Sequence, residues 1–177
     1  MKQIPLIIDT DPGIDDAVAI ALAVFNPRFD VRLITTVAGN VSIEATTTNA
    51  LKLMAYYGKD VPVARGAAEP LIRQLDDASD IQGKTGMEGF DFPEPKTELL
   101  LDKHAVEAMR DEIMASAEPV TVMPIGPLTN IALLLKTFPE VKSRIERIVL
   151  MGGSVTRGNK GVMAEFYIFV DPEAAKI

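Results

Sequence analysis

The stretch "IPLIIDTDPGIDDAVAIALAVF", residues 4–25, sets four acids (Asp9, Asp11, Asp15 and Asp16) within eight positions and flanks them with apolar residues. Residues 4–9 form an apolar run of strand length, and residues 15–26 carry the apolar spacing of a helix. Asp15 and Asp16 suit the positive end of a helix dipole, and Asp11-Pro12-Gly13 suits the turn that precedes it. That leaves Asp9 and Asp11, which the two-residue period of a strand places on one face of its end. Carboxylates crowded in this way raise one another's pKa unless a cation neutralises them. A hard divalent ion held by oxygen ligands, Ca²⁺ or Mg²⁺, satisfies that requirement. Zinc is disfavoured, because the sequence has no Cys and its one His is His104. Water polarised by such an ion beside a carboxylate is a hydrolytic arrangement, although spacing alone does not name the bond that is cut.

Outward from this stretch, strand-like and helix-like segments alternate. Residues 30–38 read as a strand and 42–58 as a helix with Ser42 at its N-cap. Residues 61–66 read as a short strand, and residues 66–101, rich in Gly, Pro and Asp, as long loops. A helix over 104–116, a strand over 119–126, a helix over 127–138 with Pro127 near its first turn, and a strand over 146–153 follow. Continuous apolar strands alternating with helices give an open, doubly wound, mostly parallel α/β sheet covered on both faces, here in a single domain spanning 1–177. Such sheets bind ligands at the carboxyl ends of their strands. The polar and Gly-rich turns "DTD", "AGN" (38–40), "PIGPLTN" (124–130) and "MGGS" (151–154) all fall there.

The net charge of −7 argues against nucleic acid as a partner, since a phosphate backbone requires a basic face. No run is long enough to span a membrane, the start of the chain is not a secretory signal, and nothing requires an oxidising compartment. The expectation is a cytoplasmic protein acting on a small molecule.

Taken in order, "DTDPGIDDA" (9–17), "TTVAGN" (35–40), "GPLTNIALLL" (126–135), "VLMGG" (149–153) and "AEFYIFVDPEAA" (164–175) resemble the inosine-uridine-preferring nucleoside hydrolases along essentially the whole chain. Within that family the sequence looks most like the bacterial ribonucleoside hydrolases. The resemblance implies hydrolysis of the N-glycosidic bond of a ribonucleoside to ribose and free base through a Ca²⁺-bound water, in a homodimer or homotetramer serving purine and pyrimidine salvage. By motif, Asp11 would be both metal ligand and general base, Asp16 a second carboxylate ligand, and Ile125 a ligand through its backbone carbonyl. Asp15 and Asn40 would hold ribose hydroxyls, Asn159 and Glu165 would contact the sugar from the far side, Met151 would line the pocket, and Asp9 would support the ligands from behind. The acidic surroundings would stabilise positive charge developing on the sugar.

Three departures from the family pattern stand out. The sequence ends at Ile177, well before the family's further Asp ligand and the His that protonates the leaving base in many members, so the expectation is a C-terminally shortened domain. Tyr167 stands where the family usually has Asn, and a phenol would reshape the ribose 5′ end. Gln82 stands where the family commonly has His, in a loop that lies near the base. His104, Lys84, Arg157, Tyr56, Tyr57, Met123 and Met163 read as surface, packing or solvated residues. The competing readings are a non-catalytic ribose- and Ca²⁺-binding remnant and, from the "DTD" after the first strand, a Mg²⁺-dependent phosphatase.

Overall fold

The computed structural model describes residues 2–76, 78, 83 and 85–176; Gln82 and Lys84 lie outside the described residues. Five parallel strands, β1 (Ile4–Thr10), β2 (Phe29–Thr36), β3 (Val63–Arg65), β4 (Val120–Pro124) and β5 (Ile145–Ile148), form one sheet in the order β3-β2-β1-β4-β5. The chain moves outward from β1 to one edge and then restarts on its other side, so β1 lies at the point where the strand order reverses. In such sheets a crevice opens at that point, at the carboxyl ends of the strands. Asp9 and Asp11 therefore stand at the centre of the sheet's upper edge.

Among the described residues, helices α1 (Ile14–Phe25), α2 (Ile43–Tyr57), α3 (Ala105–Ala115) and α4 (Thr129–Thr137) lie between strands, and the short α5 (Phe166–Val170) follows β5. Ser42 caps α2 by accepting the Ala45 N–H, and Gly58 ends it in the left-handed conformation at φ 62°. His104 caps α3, its Nδ1 accepting the Val106 N–H at 3.2 Å, which accounts for this histidine at an exposed position.

The strands alternate their side chains between two cores. Leu6, Ile8, Ile34 and Val63 pack with Ile20, Leu53 and Met54 of α1 and α2 on one face. Ile7, Leu33, Val120 and Val122 pack with Met109, Ile113, Ile131 and Leu134 of α3 and α4 on the other. Burial of these side chains supplies the main driving force for the fold, about 25 cal/mol per Å² of apolar surface.

Coverage is less complete than the sequence pattern predicts. Residues 146–153 read as one strand, but β5 ends at Ile148 and is exposed over most of its length. The backbone beyond it still follows the sheet: the Val149 N–H donates to Val122 O at 2.9 Å and the Met151 N–H to Pro124 O at 3.0 Å. The outer stripe of α1 (Ile14, Val18, Leu22 and Phe25) is also exposed, as are Met151 and Met163. Met163 is therefore not the packing residue its type suggests, whereas Met123 packs against the α1–α2 core. Among the described residues, no helix is long and apolar enough to cross a membrane.

Candidate active site

The four acids of the opening stretch divide by environment. Asp9, at the end of β1, is fully buried. Its Oδ1 accepts the Thr35 hydroxyl at 2.6 Å and the Asn130 side-chain N–H at 2.8 Å, while its Oδ2 has no partner. Burial raises its pKa to about 7, against the opposing pull of these two hydrogen bonds. Asp11 lies just beyond the strand and is also fully buried. Its Oδ2 accepts the Asn40 backbone N–H at 2.7 Å, and the Asn40 side chain donates to the Asp11 carbonyl at 3.2 Å. Its Oδ1 has no partner of normal geometry. Burial, reinforced by the charge of Asp16, pushes the Asp11 carboxyl well above the ordinary range.

Asp16 sits in the first turn of α1, where the N-terminal N–H groups favour negative charge. Its Oδ1 accepts the Thr10 hydroxyl at 2.7 Å and its Oδ2 the Gly13 N–H at 3.1 Å, which closes the Asp11-Pro12-Gly13 turn. Burial raises its pKa to about 6. Asp15, its neighbour, is exposed.

Two glycines let the surrounding loops close on Asp11. A Cβ at Gly39 would collide with Asp11 Oδ2 and the Pro127 ring; one at Gly126 would stand 2.9 Å from Asp11 Oδ1 and 3.1 Å from its N. The Gly126 backbone is thereby brought close to the Asp11 carboxylate, and the Ile125 N–H donates to Asp9 O at 2.8 Å.

A second cluster organises residues 151–168. Glu165, nearly buried, accepts the N–H groups of Tyr167 at 3.0 Å and Ile168 at 3.2 Å, and also that of Gly153 at 3.0 Å. Asn159 Oδ1 accepts the Phe166 N–H at 2.8 Å. Both side chains thus cap α5, and Glu165 also fastens the 151–153 turn to it. Tyr167 links this cluster to the acids. It is 5% exposed, and its phenol lies near enough to Asp11 and Asn40 for the groups to act on one another. Burial and the facing charges of Asp11, Asp16 and Asp15 hold the phenol's proton firmly.

Of the residues singled out from the sequence, Asp9, Asp11, Asp16, Asn40, Ile125 and Tyr167 thus meet at the upper edge of β1 and β4. Glu165 and Asn159 stand behind Tyr167 in capping roles, and Met151, Asp15 and Arg157 are exposed. Sequence reasoning gave no role to Asn130, Thr35, Thr10 or Asn49. Asn130 bridges Asp9, the Thr36 carbonyl and the Ala67 N–H; Asn49 holds the Pro12 carbonyl at 2.9 Å. Asn130 closes the quoted "PIGPLTN", so a polar side chain ending a strand-to-helix turn was the available signal.

The donor set suits a hard cation. Asp11 Oδ1 is an orphaned buried oxygen, Asp16 lies close enough to act on it electrostatically, and Gly126 stands beside Asp11. Among the described residues no three acidic or His side chains converge on one point.

Comparison with known proteins agrees with this geometry. The sequence model of the inosine-uridine preferring nucleoside hydrolases matches residues 6–177. The non-specific ribonucleoside hydrolase RihC of Klebsiella pneumoniae subsp. pneumoniae is 56% identical over 173 residues, which cover 98% of this chain and 57% of that protein. Its namesake from Salmonella typhi is 56% identical over 172 residues, covering 97% of this chain and 56% of the relative. An inosine-guanosine nucleoside hydrolase superposes with a TM-score of 0.91 at 34% identity, over 97% of this chain and 54% of that one. A purine-preferring ribonucleoside hydrolase from Gardnerella vaginalis does so with 0.90 at 33% identity, over 97% and 56%. The chain therefore spans a little over half the length of the relatives it matches. The parallel sheet with buried acids at its central strand, and a family match over nearly every residue, lead to one conclusion: the chain belongs to the inosine-uridine preferring nucleoside hydrolase family.

Proposed function

We propose that this chain carries the sugar-binding and water-activating half of a ribonucleoside N-glycosidase. The observation that carries the reading is the Asp11 carboxylate. It is buried at the crevice, fixed through Oδ2 by the Asn40 N–H and unpaired at Oδ1. A carboxylate with one oxygen anchored and the other without a hydrogen-bond partner of normal geometry is oriented to accept a proton from water. Ca²⁺ is the cation the donor set suits, held by Asp11, Asp16 and the Ile125 carbonyl; when bound it supplies positive charge that acidifies water and draws sugar hydroxyls.

The chain's own residues do the rest. Thr35 and Asn130 keep Asp9 fixed beneath Asp11, and Thr10 and the Gly13 N–H keep Asp16 aimed at the crevice. Asp15 and Asn40 receive ribose hydroxyls, with Met151, Asn159 and Glu165 closing the far side. In the reaction, water adds its oxygen to C1′ of the sugar as the C1′–N bond breaks, one proton passes to Asp11, and the base leaves with the bond's electron pair and takes a proton from solvent, to which Asp11 later returns its own. The carboxylates of Asp11, Asp15 and Asp16 stabilise the positive charge that develops on the sugar ring. We place this activity in cytoplasmic purine and pyrimidine salvage, in a homodimer or homotetramer.

Free base released from inosine, uridine, cytidine and adenosine, with Ca²⁺ and again with a chelator, tests the reading. Ca²⁺-dependent release abolished by Asp11→Asn supports it. Tyr167, whose phenol lies near the acids, favours a second reading, a Ca²⁺- and ribose-binding protein without turnover. Ribose binding by calorimetry with no base release from any nucleoside would select that alternative.

A further inference from the structure

We propose that Asn49 is a positioning residue: it couples the Asp11-Pro12-Gly13 turn to residues 85–87, so that a cation bound at the turn fastens that segment. The inference rests on the cation-site reading above and names a second element that the same site controls.

Asn49 lies in the second turn of α2 and is 3% exposed. A buried amide needs partners, and Asn49 finds them in two loops distant from it in sequence. Its Nδ2 donates to Pro12 O at 2.9 Å and to Thr85 O at 2.7 Å, across 37 and 36 positions. An amide nitrogen carries two protons, so both are engaged by these carbonyls. One planar group thereby fixes the distance between the two loops.

Each loop has its own reason to be ordered. Pro12 belongs to the turn whose Gly13 N–H donates to Asp16 Oδ2 at 3.1 Å and whose Asp11 carbonyl accepts the Asn40 side chain at 3.2 Å. A cation held by Asp11 and Asp16 would restrain this turn and Pro12 O with it. On the other side, Met87 is buried in the α1–α2 core, and Gly86 adopts the left-handed φ of 80°. A Cβ at Gly86 would stand 3.2 Å from Val41 Cγ2 and 3.3 Å from Asn49 Nδ2, so its absence lets the segment close on the amide. Lifting Thr85 away would leave a buried Asn49 proton unpaired. Order at the turn and order at 85–87 are linked through this side chain, and the linkage acts equally in both directions.

The test is hydrogen exchange at the Gly86 N–H, which donates to Gly83 O at 3.2 Å, together with calorimetric titration of Ca²⁺ into the whole chain. The proteins compared are the unaltered chain, Asn49→Leu, Asn49→Ala and Thr47→Val. Thr47 is also buried in α2, but its hydroxyl pairs with Thr36 and the Ile43 carbonyl, so its loss weakens the helix away from the two coupled loops. In the unaltered chain and in Thr47→Val, Ca²⁺ is expected to slow Gly86 exchange about fivefold or more, the lower end of coupling between sites. Either Asn49 variant is expected to lose that slowing and to bind Ca²⁺ about fivefold more weakly. Asn49→Leu keeps the volume, so its effect reports the two hydrogen bonds rather than a cavity. Gly86 exchange indifferent to Ca²⁺ in the unaltered chain, or slowed equally in all four proteins, would overturn the coupling and leave the cation site standing. No Ca²⁺ binding by the unaltered chain would overturn both.

Discussion

Asn130 and Asp9 lie 121 positions apart in the sequence, and the Asn130 side chain donates to Asp9 Oδ1 at 2.8 Å. The same amide group donates to the Thr36 carbonyl at 2.9 Å and accepts the Ala67 N–H at 2.9 Å, so one fully buried residue ties β1, β2 and the turn after β3 to the start of α4. Removing it leaves a buried carboxylate, a carbonyl and an N–H with fewer partners. Asn130→Ala is expected to lower stability by about 2–3 kcal/mol, the scale of buried polar groups left unpaired. Urea denaturation measures it; a loss below about 0.5 kcal/mol, typical of neutral surface sites, would show that Asn130 does not hold the strands together.

The buried acids make the cation-free chain sensitive to pH. Asp9 titrates at about 7 and Asp16 at about 6 in the folded state, against 3.8 for an exposed aspartate. Their proton is held by the folded chain where the unfolded chain has already released it. Stability is therefore greatest at low pH with respect to these groups and falls as pH rises through 6 and 7. In chelator, the melting temperature is expected to fall between pH 5 and pH 8. Ca²⁺ should reverse the trend, because the ion prefers the deprotonated acids and its affinity rises with pH. A melting temperature independent of pH in chelator would contradict the burial of these charges.

The organisation of the sheet and the place of its ligand crevice were legible in the pattern of residues. Apolar runs of strand length separated by helical spacing gave the parallel sheet, and the polar turns marked its upper edge. Less legible were effects of approach between distant segments. Asp9 and Asp11 share a strand face by periodicity, yet the fold separates them: Thr35 and Asn130 engage one, Asn40 the other. Nothing local to residue 130 shows that its amide will reach Asp9. The exposed edge at β5 was hidden for the same reason, since an apolar run reads as buried whatever covers it. Glu165 and Asn159 read as sugar contacts by motif, while the structure also gives them caps on a five-residue helix too short to show periodicity.

Glu165 anchors the segment that carries Tyr167. Its carboxylate accepts three backbone N–H groups, two at the start of α5 and one from Gly153. Glu165→Ala is expected to cost about 1–2 kcal/mol, the value of a lost helix cap. It should also speed limited proteolysis within residues 151–168. Glu165→Gln retains an acceptor oxygen and should fall between the two. Equal cleavage of Glu165→Ala and the unaltered chain would show that the segment is held by other contacts.

Gly39 separates the demands of the fold from those of the site. A Cβ there would meet Asp11 Oδ2 and the Pro127 ring, both of them side chains rather than backbone. The chain can accommodate Gly39→Ala by rotating the Asp11 carboxylate off the Asn40 N–H and shifting the loop at Pro127. Overpacking of this kind costs about 1–3 kcal/mol, which need not unfold the protein. Rotation of Asp11 removes the anchored orientation that the proposed chemistry requires. Gly39→Ala is therefore expected to remain folded by circular dichroism while losing Ca²⁺ affinity and base release by a factor of about 100 or more, as when a reacting group is displaced by an ångström. Undiminished Ca²⁺ affinity in a folded Gly39→Ala chain would mean that the Asp11 carboxylate is not held where the cation binds.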